Sequence, residues 1–167
     1  MKKLLRQTGV TLVELMIVVA VIGILGTLAA PAFFNFIADN TLTTATNNFV
    51  AALTYARSEA VRRGNDVTMI ATNPVGDNEW GGGWTVQQTE DDGSITVIRV
   101  FDPVPGSAQI DAQNGETSIT FDSRGLRSTT TVSTFNICDS RPDEIGRQIT
   151  LSPLGRPDLN RNLACTN

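Results

Sequence analysis

The chain of 167 residues has no histidine and only two cysteines, Cys138 and Cys165. Without histidine it lacks the side chain that most often moves protons near neutral pH. The same absence leaves no metal-ligand cluster of the usual His/Cys kind. No Gly-x-Ser-x-Gly nucleophile turn occurs, and Gly81-Gly82-Gly83 is not followed by the Lys-Ser/Thr of a phosphate loop. That glycine run reads instead as a flexible turn between Trp80 and Trp84. Asp91 and Asp92 are adjacent acids at an expected hairpin tip, where solvation is the ordinary state and calcium binding has little to support it. Together these absences argue against an enzyme, and no cofactor or metal is expected. Lysine is also missing beyond Lys3; all ten later basic residues are arginine, a choice for which we have no physical account.

The chain carries a net charge of −4, and Lys2, Lys3 and Arg6 supply three positive charges before Gly9, so the remainder lies near −7. That balance argues against wholesale binding to nucleic acid or anionic membrane, while leaving room for a local basic patch. From Leu15 to Ala38 there are 24 residues without a charge. As a helix they would span about 36 Å, enough for a hydrocarbon core of ~30 Å. No basic residue follows Arg6 until Arg57, which predicts a cytoplasmic N-terminus and a head beyond Asp39 on the far side. Glu14 stands at the head of the apolar run, where a carboxylate is costly and calls for a positive partner or an interfacial position. Pro31 removes a backbone donor and predicts a kink, and Gly23 and Gly26 make the same stretch pliable. A secretory signal would place its cleavage site after the apolar region; here the only plausible processing signal precedes it.

Helical periodicity continues past the apolar run. Leu42, Ala45, Phe49, Ala52, Leu53, Ala56 and Ala60 fall at three- and four-residue steps, with Asn47, Asn48, Arg57, Arg62 and Arg63 opposite. Glu59 is spaced to pair with Arg62 or Arg63, and Gly64 is a natural stop. One helix is therefore expected from about Thr11 to Arg63, apolar all round at first and amphipathic later. Six β segments follow, 67–71, 84–88, 94–101, 117–121, 131–138 and 148–151, separated by turn-forming residues. Glu90–Gly93 and Asp122–Gly125 read as hairpin loops, and Ser152–Gly155 as a turn after the last strand. Helix followed by strands predicts an α+β fold, a long kinked N-terminal helix packed on an antiparallel β-sheet head. The organisation expected is a leader over 1–9, a membrane and assembly helix over 10–38, an amphipathic continuation over 39–64 and a β-rich head over 65–167. In an extracytoplasmic head the cysteine pair favours a disulfide over two free thiols.

Gly9-Val10-Thr11-Leu12-Val13-Glu14 resembles the class III signal of type IV pilins and type II secretion pseudopilins. The resemblance implies cleavage by a prepilin peptidase after Gly9 and N-methylation of Val10. It also implies that Glu14 docks the subunit into a filament, paired with the freed amino group of a neighbouring Val10. Pro31 falls where such proteins usually carry a helix-kinking proline, while Val10 departs from the usual phenylalanine. Tyr55–Val61, Trp80-Gly81-Gly82-Gly83-Trp84, Ile119–Gly125, Phe135–Cys138 and Leu151–Arg156 sharpen the resemblance to the GspH/FimT group of minor pilins and pseudopilins. For Trp80, Trp84 and Phe121, core packing is the expected role.

Three functions follow as expectations. In the first, the chain is an inner-membrane subunit that primes or caps a type IV pilus or a type II secretion pseudopilus, with other pilins and the peptidase as partners. In the second, the head binds DNA for uptake, because Arg124 to Asn167 holds six arginines against four acids. Arg156 and Arg161 are the candidate contacts. The FimT-type tail, however, has a second arginine two residues after its Gly-Arg pair, where this chain has Asp158. In the third, a membrane-anchored periplasmic domain never polymerises, which leaves Gly9 and Glu14 unused.

Overall fold

A computed structural model describes residues 9–90, 92–141 and 145–165, with the side chains at positions 28 and 31 left aside. The leader charges Lys2, Lys3 and Arg6, and Asp91 of the hairpin tip, lie outside the described residues. One helix, α1 (Leu12–Arg63), is followed by β1 (Val67–Ala71), β2 (Trp84–Thr89), β3 (Ile95–Phe101), β4 (Gln109–Ala112), β5 (Ser118–Phe121), β6 (Ser133–Cys138), β7 (Ile145–Leu151) and β8 (Pro157–Ala164). The chain divides into two units, Met1–Ile37 and Ala38–Asn167. Each is considered by itself.

Within the second unit α1 ends at Gly64, whose φ of +70° is open to glycine and whose N–H donates to the Ala60 carbonyl. The strands form two antiparallel sheets, in the orders β3-β2-β1-β5 and β4-β6-β7-β8. Alternation selects the core faces: Val67, Met69, Trp84, Val86, Ile119, Phe121, Phe135, Ile137, Ile149 and Leu151 point inward and are buried. The periodic face of α1, from Leu42 to Ala60, is buried with them. Phe49 is the hub. Its ring meets Trp80 and Trp84 edge-on at 5.3 Å each and Phe135 at 5.1 Å, so one helical side chain touches both sheets.

The structure corrects several expectations. Among the described residues the strands number eight, in two sheets rather than one. β4 escaped the sequence reading because Gln109 and Asp111 give it little β character. It forms because Ile110 and Ala112 are buried, and because the side chains of Asn78 and Glu79 accept from their backbone N–H groups, each at 2.9 Å. β8 escaped because it opens on Pro157, which an edge strand tolerates, so Ser152–Gly155 turns the chain between β7 and β8 instead of after the last strand. Asp122–Gly125 is a tight turn closed by Gly125 N–H to the Asp122 carbonyl at 2.8 Å, but only a single bridge, Phe121 to Arg127, follows it.

Gly81–Gly83 is packed rather than flexible. A Cβ on Gly82 would sit 2.7 Å from the Asn73 carbonyl oxygen, and Gly83 has a φ of +89°. Periodicity places Arg57 on the solvent face, and the structure does not. Arg57 is half-buried and donates Nε–H to the Gly125 carbonyl at 2.9 Å, tying the helix to that turn.

Candidate functional site

The first unit presents an apolar helix with large side chains exposed. Val10, Leu12, Met16, Ile22, Ile24, Phe33, Phe34 and Phe36 are all exposed. By length and composition this helix could cross a membrane. Its first turn is held by a reciprocal pair of bonds. Glu14 N–H donates to Thr11 Oγ1 at 3.2 Å, and Thr11 N–H donates to Glu14 Oε2 at 3.3 Å. This is a capping box with Thr11 as the N-cap and Glu14 at the third helical position. The carboxylate, four residues after Val10, thus has a local structural task. Sequence spacing alone carried that signal, Thr-x-x-Glu ahead of an apolar run.

Cys138 and Cys165 form a disulfide, their Cα atoms 5.9 Å apart, fastening the end of β8 to β6 across β7. The loop of 27 residues that it closes should contribute roughly 3–4 kcal/mol by restricting the unfolded chain. Beside it, Asp77, Asp111 and Asn136 line a polar hollow of about 390 Å³. Burial, and then the neighbouring Glu79 and Asp77, raise the carboxyl of Asp111 above its ordinary range. Among the described residues no group of three His, Cys, Asp or Glu could hold a metal ion.

The six arginines from Arg124 onward do not form one basic surface. Arg124 Nη2 bonds Asp122 at 2.7 Å, and Arg141 bridges Asp139 and Asp39 at 2.8 Å each. Arg127 is buried, with Nη2 2.7 Å from Glu116 Oε1, while its Nη1 donates to the carbonyls of Thr131 and Leu151. Ser133 donates to the other oxygen of Glu116, and the indole of Trp80 donates to its backbone carbonyl at 2.7 Å. Nothing in the sequence distinguished Arg127 from a surface arginine.

Arg156 and Arg161 are exposed, yet they stand five residue steps apart along extended chain, about 17 Å at 3.3–3.4 Å per residue. Asp158, also exposed, lies between. β8 has an extra residue opposite Arg147, and Arg147 Nη1 donates to the Arg161 carbonyl at 3.4 Å. These two arginines, with Thr43, Thr46 and Asn47 of α1, line a hollow of about 120 Å³ that Arg156 does not reach.

Residues 45–155 match the family model described as type II transport protein GspH. The chain belongs to the GspH family. A second match, to the prokaryotic N-terminal methylation motif, covers residues 4–30 and so includes Gly9, Val10 and Glu14. Among similar proteins, a fimbrial protein of Pseudomonas aeruginosa is 35% identical over 112 residues, 67% of this chain and 71% of the relative. The crystal structure of the type IV minor pilin FimU of P. aeruginosa superposes with a TM-score of 0.64 at 28% identity, covering 75% of this chain and 92% of FimU. The minor pseudopilin EpsH of the Vibrio cholerae type II secretion system shares the fold, with a TM-score of 0.55 at 18% identity over 71% of this chain and 95% of EpsH. This GspH-family chain is thus a minor pilin or pseudopilin of a type IV pilus or type II secretion system, a structural protein and not an enzyme. Its pilin-like α+β fold agrees with the sequence reading. Membership implies processing by a prepilin peptidase and assembly with other pilins. Arg156, Arg161 and the end of β8 lie beyond the GspH match.

Proposed function

We propose that the chain is an assembly subunit held in the inner membrane by its first helical stretch, leader in the cytoplasm and head in the periplasm. It is cut after Gly9, methylated on Val10, and inserted at the priming or tip position of the filament. Glu14 docks it against the amino group of a neighbouring Val10, and Pro31 gives the helix its kink. The observation that carries this reading is the uncovered apolar helix, whose single carboxylate lies four residues after the processing position. In lipid, apolar side chains need no protein cover, but a carboxylate needs a positive partner.

Glu14→Ala tests the reading. Normal membrane insertion with failed filament incorporation is expected, together with a mature N-terminus at Val10. A mature chain starting elsewhere would remove the peptidase assignment. Unchanged incorporation would remove the docking role of Glu14, and absence of even the wild-type chain from filaments would favour a membrane-anchored domain that does not polymerise.

A second reading, DNA capture by the head, draws support from the hollow shared by Arg147 and Arg161, whose described lining holds two cations, two threonines and an asparagine but no carboxylate. Against it stands Asp158 beside Arg156. Binding of duplex DNA across a salt series, repeated with Arg156→Ala and Arg161→Ala, decides it. Salt-dependent binding lost in either variant supports DNA capture; no binding at low salt removes it.

A further inference from the structure

β3 is an edge strand; it pairs with β2, and its other side meets no strand among the described residues. Edge strands are commonly blunted by charge or proline on the exposed side. Here Ile95, Val97 and Val100 are 59%, 54% and 62% exposed, and they stand opposite Thr89, Gln87 and Thr85 on the outer face of the sheet. That face carries no charge in its register with β1 and β5 either, where Thr68, Ile70, Ser118 and Thr120 follow. On the inner side, Arg99 and Phe101 stand opposite Val86 and Trp84.

That inner side borders a hollow of about 410 Å³, lined by Ala45 and Asn48 of α1 and by Trp84, Arg99, Phe101 and Pro103 among others. Two of these groups are incompletely partnered. Trp84 is only 2% exposed, yet its indole N–H has no acceptor among the described residues, in contrast to the satisfied indole of Trp80. Arg99 lies over the rings of Phe101 and Tyr55, at 4.6 and 5.4 Å, and makes no ion pair among the described residues. Asp102 also lines the hollow but is beyond ion-pair distance of Arg99.

We propose that the β3 edge and this hollow form one docking site for an extended segment of a partner polypeptide, added as a fifth strand. Period-two alternation would lay its apolar side chains beside Ile95, Val97 and Val100 and turn one acceptor side chain, Asp, Glu, Asn or Gln, inward. The acceptor meets the Trp84 N–H and the Arg99 guanidinium. A second copy of this chain fits poorly, because its own β3 offers Arg99 again, a like charge in place of an acceptor. The site deepens the assembly reading by naming what the head would grip.

The probe is a displayed library of random heptapeptides, panned against the full chain in detergent, followed by synthesis of the selected peptide. Expected sequences alternate β-branched residues with one inward acid or amide. The synthetic peptide should shift the Trp84 indole N–H resonance and leave that of Trp80 in place. Arg99→Ala, a surface change, should weaken binding about tenfold, the effect of losing one charge-assisted hydrogen bond. Trp84→Phe removes the N–H along with part of a buried ring, so it should lower thermal stability; measured well below its midpoint, it should weaken binding several-fold. No enrichment over a Val97→Lys/Val100→Lys control overturns the proposal. So does equal binding to Arg99→Ala, or an unmoved Trp84 resonance. Because binding is read on the isolated chain, its failure is distinct from failure of the Glu14 test, which is read on assembly.

Discussion

The two stretches of α1 follow opposite rules with similar residues. Between Val10 and Phe34 the described large apolar side chains are exposed, Phe34 at 68%, whereas from Leu42 to Ala60 a single stripe is buried, Phe49 at 0%. The second stretch is stabilised within its own unit by two sheets. The first has an all-round apolar surface of the kind that lipid or other chains cover. Phenylalanine content says nothing of stability by itself; what matters is whether the same chain supplies the cover.

Paired substitutions sharpen that contrast. Phe49→Ala should lower head stability by about 3–5 kcal/mol, since it opens a cavity between the rings of Trp80, Trp84 and Phe135. Phe34→Ala should leave the thermal midpoint of the head unchanged, its ring being exposed. Equal losses in calorimetry would break the comparison. Next in size, Cys138→Ser with Cys165→Ser should cost about 3–4 kcal/mol in urea denaturation, with a steeper transition because the freed unfolded chain exposes more surface. A loss below about 1 kcal/mol would mean that β8 is held by β7 pairing alone.

A smaller effect is set by pH. Hydrogen bonds from Arg62 and then Arg63 hold the Glu59 carboxyl at about 2, below its ordinary 4.5. A depressed acid stabilises the fold above its ordinary value, and that contribution disappears as pH falls from about 4.5 towards 2. Asp122, held low by the Leu126 N–H and by Arg124, adds to the same acid slope. Denaturation of the wild type and of Glu59→Gln should therefore differ at pH 6 and converge near pH 2. A gap that stays constant with pH would assign Glu59 a purely steric role.

Periodicity made α1 legible, because Leu42, Ala45, Phe49, Ala52, Ala56 and Ala60 repeat the helical step and Gly64 marks the stop. β1, β2 and β6 were legible for the same reason, with inward Val, Met, Trp and Phe at period two. β4 and β8 were not, since their backbone pairing is supported by polar side chains from elsewhere, by a bulge and by a distant cysteine. The glycine run was visible, but only tertiary contact distinguishes a packed glycine from a mobile one. The count of C-terminal arginines was visible too; that Arg124, Arg127 and Arg141 are committed to carboxylates depends on partners far along the chain, or on a turn that brings them close. The pairing of Thr11 with Glu14 follows from the Thr-x-x-Glu spacing ahead of the apolar run.

Glu14 gives the most direct test, because glutamine can keep the capping box while removing the charge. The full chain carrying Glu14→Gln would be followed for membrane insertion, thermal stability of the head and incorporation into filaments. The account predicts normal insertion, an unchanged head and lost incorporation. Incorporation at the wild-type level would show that Glu14 only caps its own helix, and would contradict the docking role on which the assembly account rests.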